Sequence, residues 1–144
     1  MVDNKLAPYG VLLLRVTLGV YFFIHWCLKV FVFTPAGFVQ FFGSLGLPPA
    51  LAYFTMAIEL IGALALITGF YSRVAAIVLI PILVGAIVTV HGSAGFFFNN
   101  PNGGWEYPAF WSVMLLVLAM LGDGALALRS FPAKSSGPAS YGNA

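Results

Sequence analysis

The first long apolar segment of the chain, residues 9–33, contains three basic side chains, Arg15, His25 and Lys29. On an α-helix, Lys29 lies about 40° and His25 about 80° around from Arg15, so the three share one stripe. A charged group in the middle of a bilayer costs at least a few kcal/mol, and such groups normally face a partner helix or a wet cavity. We therefore expect the stripe to face inward. Lys29 lies near the end of the segment, where extension toward the headgroups is an alternative.

The composition is that of an integral membrane protein. Of the 144 residues, 61% are hydrophobic and only 7% are charged, and the mean hydropathy is +1.00. Three further apolar runs, about 50–70, 74–91 and 109–128, approach the roughly 20 residues that a membrane-spanning helix requires. We predict an all-α fold, a single-domain bundle of four transmembrane helices, followed by a flexible cytoplasmic tail at 132–144.

The distribution of basic residues predicts the orientation of the bundle. Lys and Arg lie in the N-terminal segment, the turn between the second and third spans, and the C-terminal segment, at Lys5, Arg73, Arg129 and Lys134. The positive-inside rule then places both termini in the cytoplasm. We expect a multi-pass protein of the cell inner (plasma) membrane. The net charge of +2 reflects this orientation, and no basic cluster indicates a nucleic-acid partner.

The two outer loops are rich in aromatic residues. In residues 34–49, Phe38, Phe41 and Phe42 share one face between flanking prolines, which predicts a short interfacial helix. Residues 92–108 combine dense turn signals with aromatic side chains typical of the membrane interface.

Glu59 lies near the middle of the second predicted span, beside small residues that allow close helix packing. A buried carboxylate needs a cation or a hydrogen-bond partner. From the helical rise we place Glu59 near the depth of His25 and within reach of an extended Arg15. We predict a structural ion pair between Glu59 and Arg15, with His25 as the alternative partner.

Cys27 is the only cysteine. It cannot form an internal disulfide, which excludes the four-helix thiol oxidoreductases, because their chemistry needs a cysteine pair. No metal site is predicted.

Several short motifs occur in a characteristic order. The first helix has Arg15 followed by Gly19, and then His25 and Lys29 before a Phe. The motifs that follow are Gly46-Leu47-Pro48; Glu59 with Leu60 and Gly62; Gly69 with Arg73; and Gly104-Trp105-Glu106-Tyr107-Pro108. Together they resemble the DoxX family of small four-helix membrane proteins, over about residues 9–128. Trp26 replaces the usual Gly after the first-helix His and should narrow the surroundings of His25. The resemblance implies a group that includes a subunit of a thiosulfate:quinone oxidoreductase and subunits of membrane redox complexes.

Independently of this resemblance, the membrane depths estimated from the helical rise place most titratable side chains in the outer half of the bundle. A quinone site needs an apolar crevice, a few donors and acid/base groups at the ring carbonyls. We predict such a site from His25, Lys29, Glu59, His91, Trp105, Glu106 and Tyr107. No catalytic residue is singled out. The chain provides no electron carrier, so we expect other subunits of a membrane redox complex as partners, with a homo-oligomer as a further alternative.

Two other functions compete with quinone binding. A b-type haem protein would use His25 and His91 as axial ligands, but their estimated depths differ by about 12 Å. A non-catalytic membrane anchor or assembly subunit would use the buried charges only to hold its helices together.

Overall fold

The computed structural model describes residues 3–130. Within this range the regular secondary structure is helical, and one isolated bridge joins Phe70 and Arg129. Five α-helices follow one another: α1 (Ala7–Cys27), α2 (Thr34–Ser44), α3 (Pro49–Thr68), α4 (Ser72–Ala86) and α5 (Glu106–Leu121). Leu28–Val32 continues α1 as a π-helix, Ile87–His91 continues α4 in the same way, and Gly92–Ala94 is a 3₁₀ turn. The all-helical prediction is confirmed.

Three helical segments are long and apolar enough to cross a membrane, namely Ala7–Val32, Pro49–Thr68 and Ser72–Ala94. The fourth, α5, has 16 residues and is therefore about 24 Å long. This is shorter than the roughly 30 Å of hydrocarbon in a typical bilayer. The fold is that of a helical membrane protein, and a fourth complete span stays a prediction.

The last helix differs most from its predicted bounds of 109–128. It begins at Glu106 and ends at Leu121, because Gly122 adopts a φ of 105° that L side chains rarely adopt. The following residues cross this end of the bundle, where the amide of Ala125 donates to the carbonyl of Pro8 at 2.9 Å and the amide of Leu128 to the carbonyl of Thr68 at 3.3 Å. The predicted tail at 132–144 lies outside the described residues.

The predicted helix of the first outer loop is present as α2. Its Phe38 is buried and packs with Ala52 and Met56 of α3 in a small apolar cluster. Pro35 in the first turn suits the start of the helix, because the missing N–H would have no helical partner there. This packing holds α2 against the bundle above the end of α1.

The helices pack closely where α1 and α3 cross. A Cβ atom added at Gly19 would lie 2.8 Å from Cγ1 of Ile67 and 3.0 Å from the carbonyl oxygen of Ala63. Only glycine allows the two backbones to approach this closely. On the other side of α3, Gly62 similarly accommodates Leu79 of α4. The bundle core is completed by Phe22, Leu66, Leu115 and Leu118.

One end of the bundle collects the exposed basic residues. The start of α1, the turn between α3 and α4, and residues 122–129 meet there, since Leu128 donates to the Thr68 carbonyl. Lys5, Arg73 and Arg129 therefore belong to the same end. Glu106 begins α5 at the opposite end.

Candidate functional site

Lys29 and Glu59 form a buried ion pair between the end of α1 and the middle of α3. The Lys29 ammonium donates to both carboxylate oxygens, with Nζ 2.7 Å from Oε1 and 2.6 Å from Oε2. The Glu59 side chain is 4% exposed and the Lys29 side chain 14%. Such a bidentate pair satisfies a carboxylate that would otherwise be costly to bury.

Two local features position Lys29 for this pair. Lys29 lies in the π-helical turn, which carries one more residue per hydrogen-bonded ring than an α-helix and so changes the direction of the following side chains. In addition, the ring of Phe38 in α2 lies 5.5 Å from the ammonium, close enough for a cation–π contact. Lys29 is thus held between α3 and the loop helix instead of extending to the headgroups.

The predicted ion pair between Arg15 and Glu59 is wrong, because Arg15 has other partners. Its guanidinium donates to the carbonyls of Leu66 at 3.0 Å, Ile67 at 3.3 Å and Ala125 at 3.2 Å. The first two belong to the last turn of α3, where carbonyls lack helical partners and a cation is favourable. Arg15 therefore caps α3 and fixes the returning C-terminal segment, about eight residues along α3 from Glu59.

His25 lies beside Trp111 of α5, with ring centroids 5.0 Å apart and an interplanar angle of 65°. Its Nδ1 is 2.9 Å from the carbonyl oxygen of Tyr21. A carbonyl oxygen can only accept, so Nδ1 carries the proton and Nε2 of the neutral ring is an acceptor. His25 also lies within Coulombic range of Glu59, which connects it to the ion pair.

Trp111 is a member of this site that the sequence reasoning missed. Its side chain is buried, and its indole Nε1–H has no hydrogen-bond partner in the described part of the chain. Buried indole N–H groups normally have a partner. The orphan donor of Trp111 and the acceptor Nε2 of His25 thus lie on adjoining rings.

His91 and Tyr107 form a second group toward the end of the bundle at which α5 begins, which is the predicted outer end. Nδ1 of His91 is 2.8 Å from the Gly103 carbonyl oxygen, so the same argument makes Nε2 an acceptor. The His91 ring contacts the Tyr107 ring at 5.8 Å between centroids. His91 lies in the π-helical turn that continues α4, and it connects this helix to the outer loop.

Glu106 and Trp105 hold the outer loop in shape. The Glu106 carboxylate accepts from the Phe98 amide at 3.2 Å, and Trp105 contacts the Phe96 ring at 4.8 Å between centroids. Gly104 is buried and its amide donates to Phe97. Through these contacts Trp105 and Glu106 form part of a folded, aromatic-rich loop at the start of α5.

The structure thus places the predicted site residues in two groups, an inner one at His25, Lys29 and Glu59 and an outer one at His91 and residues 105–107. Tyr107 and Trp111 are four residues apart on α5 and share a face, so the groups are about 6 Å apart along this helix. Among residues 3–130, no hydrogen bond or ring contact joins them, and no cluster of three or more His, Cys, Asp or Glu could hold a metal ion.

Comparison with known proteins settles the family. The DoxX family model matches residues 10–92, which is more than half of the chain. The chain belongs to the DoxX family. Arg15, His25, Lys29 and Glu59 lie within the part that matches the DoxX model, whereas Trp111 lies beyond it.

Two curated relatives extend the similarity over most of the chain. A protein of Bacillus subtilis (strain 168) named "Putative oxidoreductase CatD" is 38% identical over 128 residues, covering 89% of this chain and 90% of that protein. An "Uncharacterized protein" of Haemophilus influenzae (strain ATCC 51907 / DSM 11121 / KW20 / Rd) is 32% identical over 127 residues, covering 87% and 92%. No solved structure matches this DoxX chain.

Proposed function

We propose that this DoxX protein is a quinone-interacting subunit of a membrane oxidoreductase system. The observation that supports the proposal best is the adjoining pair of Trp111 and His25. One offers a buried N–H donor without a partner, and the other offers a ring nitrogen that accepts. The relative named as an oxidoreductase agrees with a redox role.

This pair fits the two forms of a quinone headgroup. A quinone takes up two electrons and two protons when it is reduced to the quinol. The Trp111 N–H donates to a ring carbonyl oxygen, and Nε2 of His25 accepts from a quinol hydroxyl. Imidazole is a common proton donor and acceptor in proteins at neutral pH, so His25 moves the proton at this oxygen.

The Lys29–Glu59 pair has an electrostatic role in this proposal. Both carboxylate oxygens are occupied by Lys29, so Glu59 stabilises positive charge on the nearby His25 ring instead of binding the ligand directly. The pair also keeps α1 and α3 in register beside Trp111. It positions the binding groups, and electrons reach the site from a partner subunit of the redox complex.

The outer group lies between this site and the outer surface. His91 and Glu106, with Trp105 and Tyr107 around them, are about one helical turn further out along α5 than Trp111. We propose that they complete the headgroup site and exchange its protons with the outer side. The aromatic loop then limits access of water to the inner group.

For the membrane topology we propose four spans, with α5 as a short fourth one and both termini in the cytoplasm. The exposed basic residues Lys5, Arg73 and Arg129 lie at one end of the bundle, as the positive-inside rule requires of the cytoplasmic side. The plasma (inner) membrane of a bacterium is the matching location. A reporter enzyme that is active only outside the cytoplasm should therefore be active when it is fused at residue 100.

The function is tested by quinone binding to the purified protein in detergent. Trp111→Phe removes the indole donor and His25→Ala removes the acceptor, so each should weaken binding of a short-chain quinone by about tenfold, the value of one hydrogen bond to a desolvated site. Trp26→Phe is the matched control, because Trp26 packs toward Phe23 and Phe31, and it should bind normally. Glu106→Gln should slow quinone-dependent electron transfer in the parent complex.

The rival functions give different results in the same preparation. If folded variants at His25, His91, Glu106 and Trp111 all bind quinone as the unmodified protein does, the buried charges are structural and the protein is an anchor or assembly subunit. A haem absorption spectrum that is lost in both His25→Ala and His91→Ala would instead favour a b-type haem protein.

A further inference from the structure

An apolar groove runs along the membrane-facing side of the bundle between α3 and α4. It has a volume of about 570 Å³ and contains none of the residues of the candidate site. The α3 wall consists of Ile58, Ile61, Gly62 and Ala65, the α4 wall of Val74, Ala75 and Val78, and the turn between the helices adds Phe70 and Tyr71.

The length of the groove corresponds to one leaflet of a bilayer. From Ile58 to the end of α3 at Thr68, beside the turn at Phe70, it follows the helix for about 10 residues, or roughly 15 Å. Half of the hydrocarbon core measures about 15 Å. The groove is therefore long enough for one acyl chain and ends at the level of the headgroups.

A fixed cation lies at the headgroup end. Arg129 is held by its backbone, since its amide donates to the Gly69 carbonyl at 3.2 Å and its own carbonyl accepts from the Tyr71 amide at 2.8 Å. Its guanidinium lies over the Tyr71 ring, with Cζ 5.4 Å from the ring centroid. Arg129 is exposed, and no carboxylate within residues 3–130 forms a salt bridge with it.

We propose that the groove and Arg129 form a binding site for one anionic phospholipid of the adjacent leaflet. An acyl chain lies between α3 and α4, and the phosphate and its anionic substituent face the Arg129 guanidinium. Arginine presents several donors in a planar fork that matches phosphate oxygens. The site is independent of the proposed quinone site.

Native mass spectrometry of the detergent-purified protein tests the headgroup contact. The protein is titrated with dioleoyl phosphatidylglycerol and, separately, with the zwitterionic dioleoyl phosphatidylcholine. We expect one retained phosphatidylglycerol with a clear preference over phosphatidylcholine. Arg129→Gln should weaken its binding about fivefold, the usual value of one basic residue near an anionic lipid surface. Lys5→Gln removes a charge at the same end of the bundle and should leave the affinity unchanged.

A second pair of variants tests the acyl-chain contact. Ala65→Leu fills the groove, whereas Ala57→Leu adds the same group to an exposed position of α3 outside it. Only the first should lower phosphatidylglycerol retention. If Ala65→Leu does not fold, Val78→Phe blocks the groove from α4. Equal retention of both lipids, equal loss in Lys5→Gln, or unchanged binding in the filled groove would overturn the proposal. A dimer that buries the groove in place of a lipid would also overturn it.

Discussion

The Lys29–Glu59 pair gives the sharpest stability prediction, because the sequence alone favours a different partner for Glu59. In the structure both carboxylate oxygens bind the Lys29 ammonium at 2.6–2.7 Å, and the carboxylate is almost fully buried. Removing one member of a buried pair commonly costs about 3–5 kcal/mol, because the other charge is left without compensation.

From these contacts we estimate the cost of each variant. Lys29→Met leaves the buried Glu59 unpaired and should lower the free energy of unfolding by about 3 kcal/mol. Glu59→Gln should lower the free energy of unfolding by about 2 kcal/mol, which is less than Lys29→Met. The amide oxygen still accepts a hydrogen bond from Lys29, and the Lys29 charge can extend toward the headgroups because it lies near the helix end. The double variant Lys29→Met with Glu59→Gln should lower the free energy of unfolding by about 2 kcal/mol. This is about 3 kcal/mol less than the sum of the two single costs, and the difference is the coupling energy of the pair.

The assay is reversible unfolding in mixed detergent micelles, analysed as two double-mutant cycles. The second cycle combines Arg15→Met with Glu59→Gln. Arg15 binds carbonyls at the end of α3 and not Glu59, so these two changes should add within about 0.5 kcal/mol. A larger coupling in the Arg15 cycle than in the Lys29 cycle would refute the pairing described here.

Three other predictions follow from close contacts of the bundle. Arg15→Met should cost about 3 kcal/mol in the same unfolding assay, because three carbonyl groups lose their donor; a loss below about 1 kcal/mol would argue against a capping role. Gly19→Leu forces α1 away from Ile67 and should cost about 1–3 kcal/mol or abolish folding, whereas Gly10→Leu, with open space around it, should be tolerated. Gly69→Ala should cost about 1–2 kcal/mol, since its φ is 76° and the added methyl would meet Arg15, and a neutral result would contradict this geometry.

The helical architecture follows from hydropathy because each apolar run must satisfy its backbone internally in a membrane. The segments around 9–33, 50–70 and 74–91 correspond to long helices, and the proline-bracketed aromatic segment forms α2. The predicted span of 109–128 extends past the end of α5 at Leu121, because Ala125–Leu128 is apolar and continues the hydropathy signal. Gly122 and Gly124, which both have positive φ, are the local signals in the sequence that end the helix at Leu121.

The partner of Glu59 was harder to predict because the helical rise gives depth but not direction. Arg15 and Lys29 lie on the same stripe of α1, and the π-helical turn that turns Lys29 toward Glu59 leaves no clear mark in the sequence. Arg15 could have been assigned from Gly69, whose left-handed conformation ends α3 and exposes carbonyls that attract a cation.

Trp111 shows the limit of reasoning from residue type. In a sequence it is one of many aromatic residues in an apolar helix, and nothing in its spacing distinguishes it from a core residue. Its relevance comes from two facts of packing, the nearby ring of His25 and the absence of a partner for its N–H among the described residues.

The most direct test of the proposed site uses the fluorescence of Trp111 as a reporter. In a variant with Trp26→Phe and Trp105→Phe, which keeps an aromatic ring at the loop contact with Phe96, Trp111 is the remaining tryptophan. A quinone bound to its indole should quench the emission at close range. We predict saturable quenching by a short-chain ubiquinone analogue, with an affinity reduced about tenfold by His25→Ala. Quenching that rises linearly with quinone concentration, without saturation and to the same extent in His25→Ala, would contradict a quinone site between His25 and Trp111.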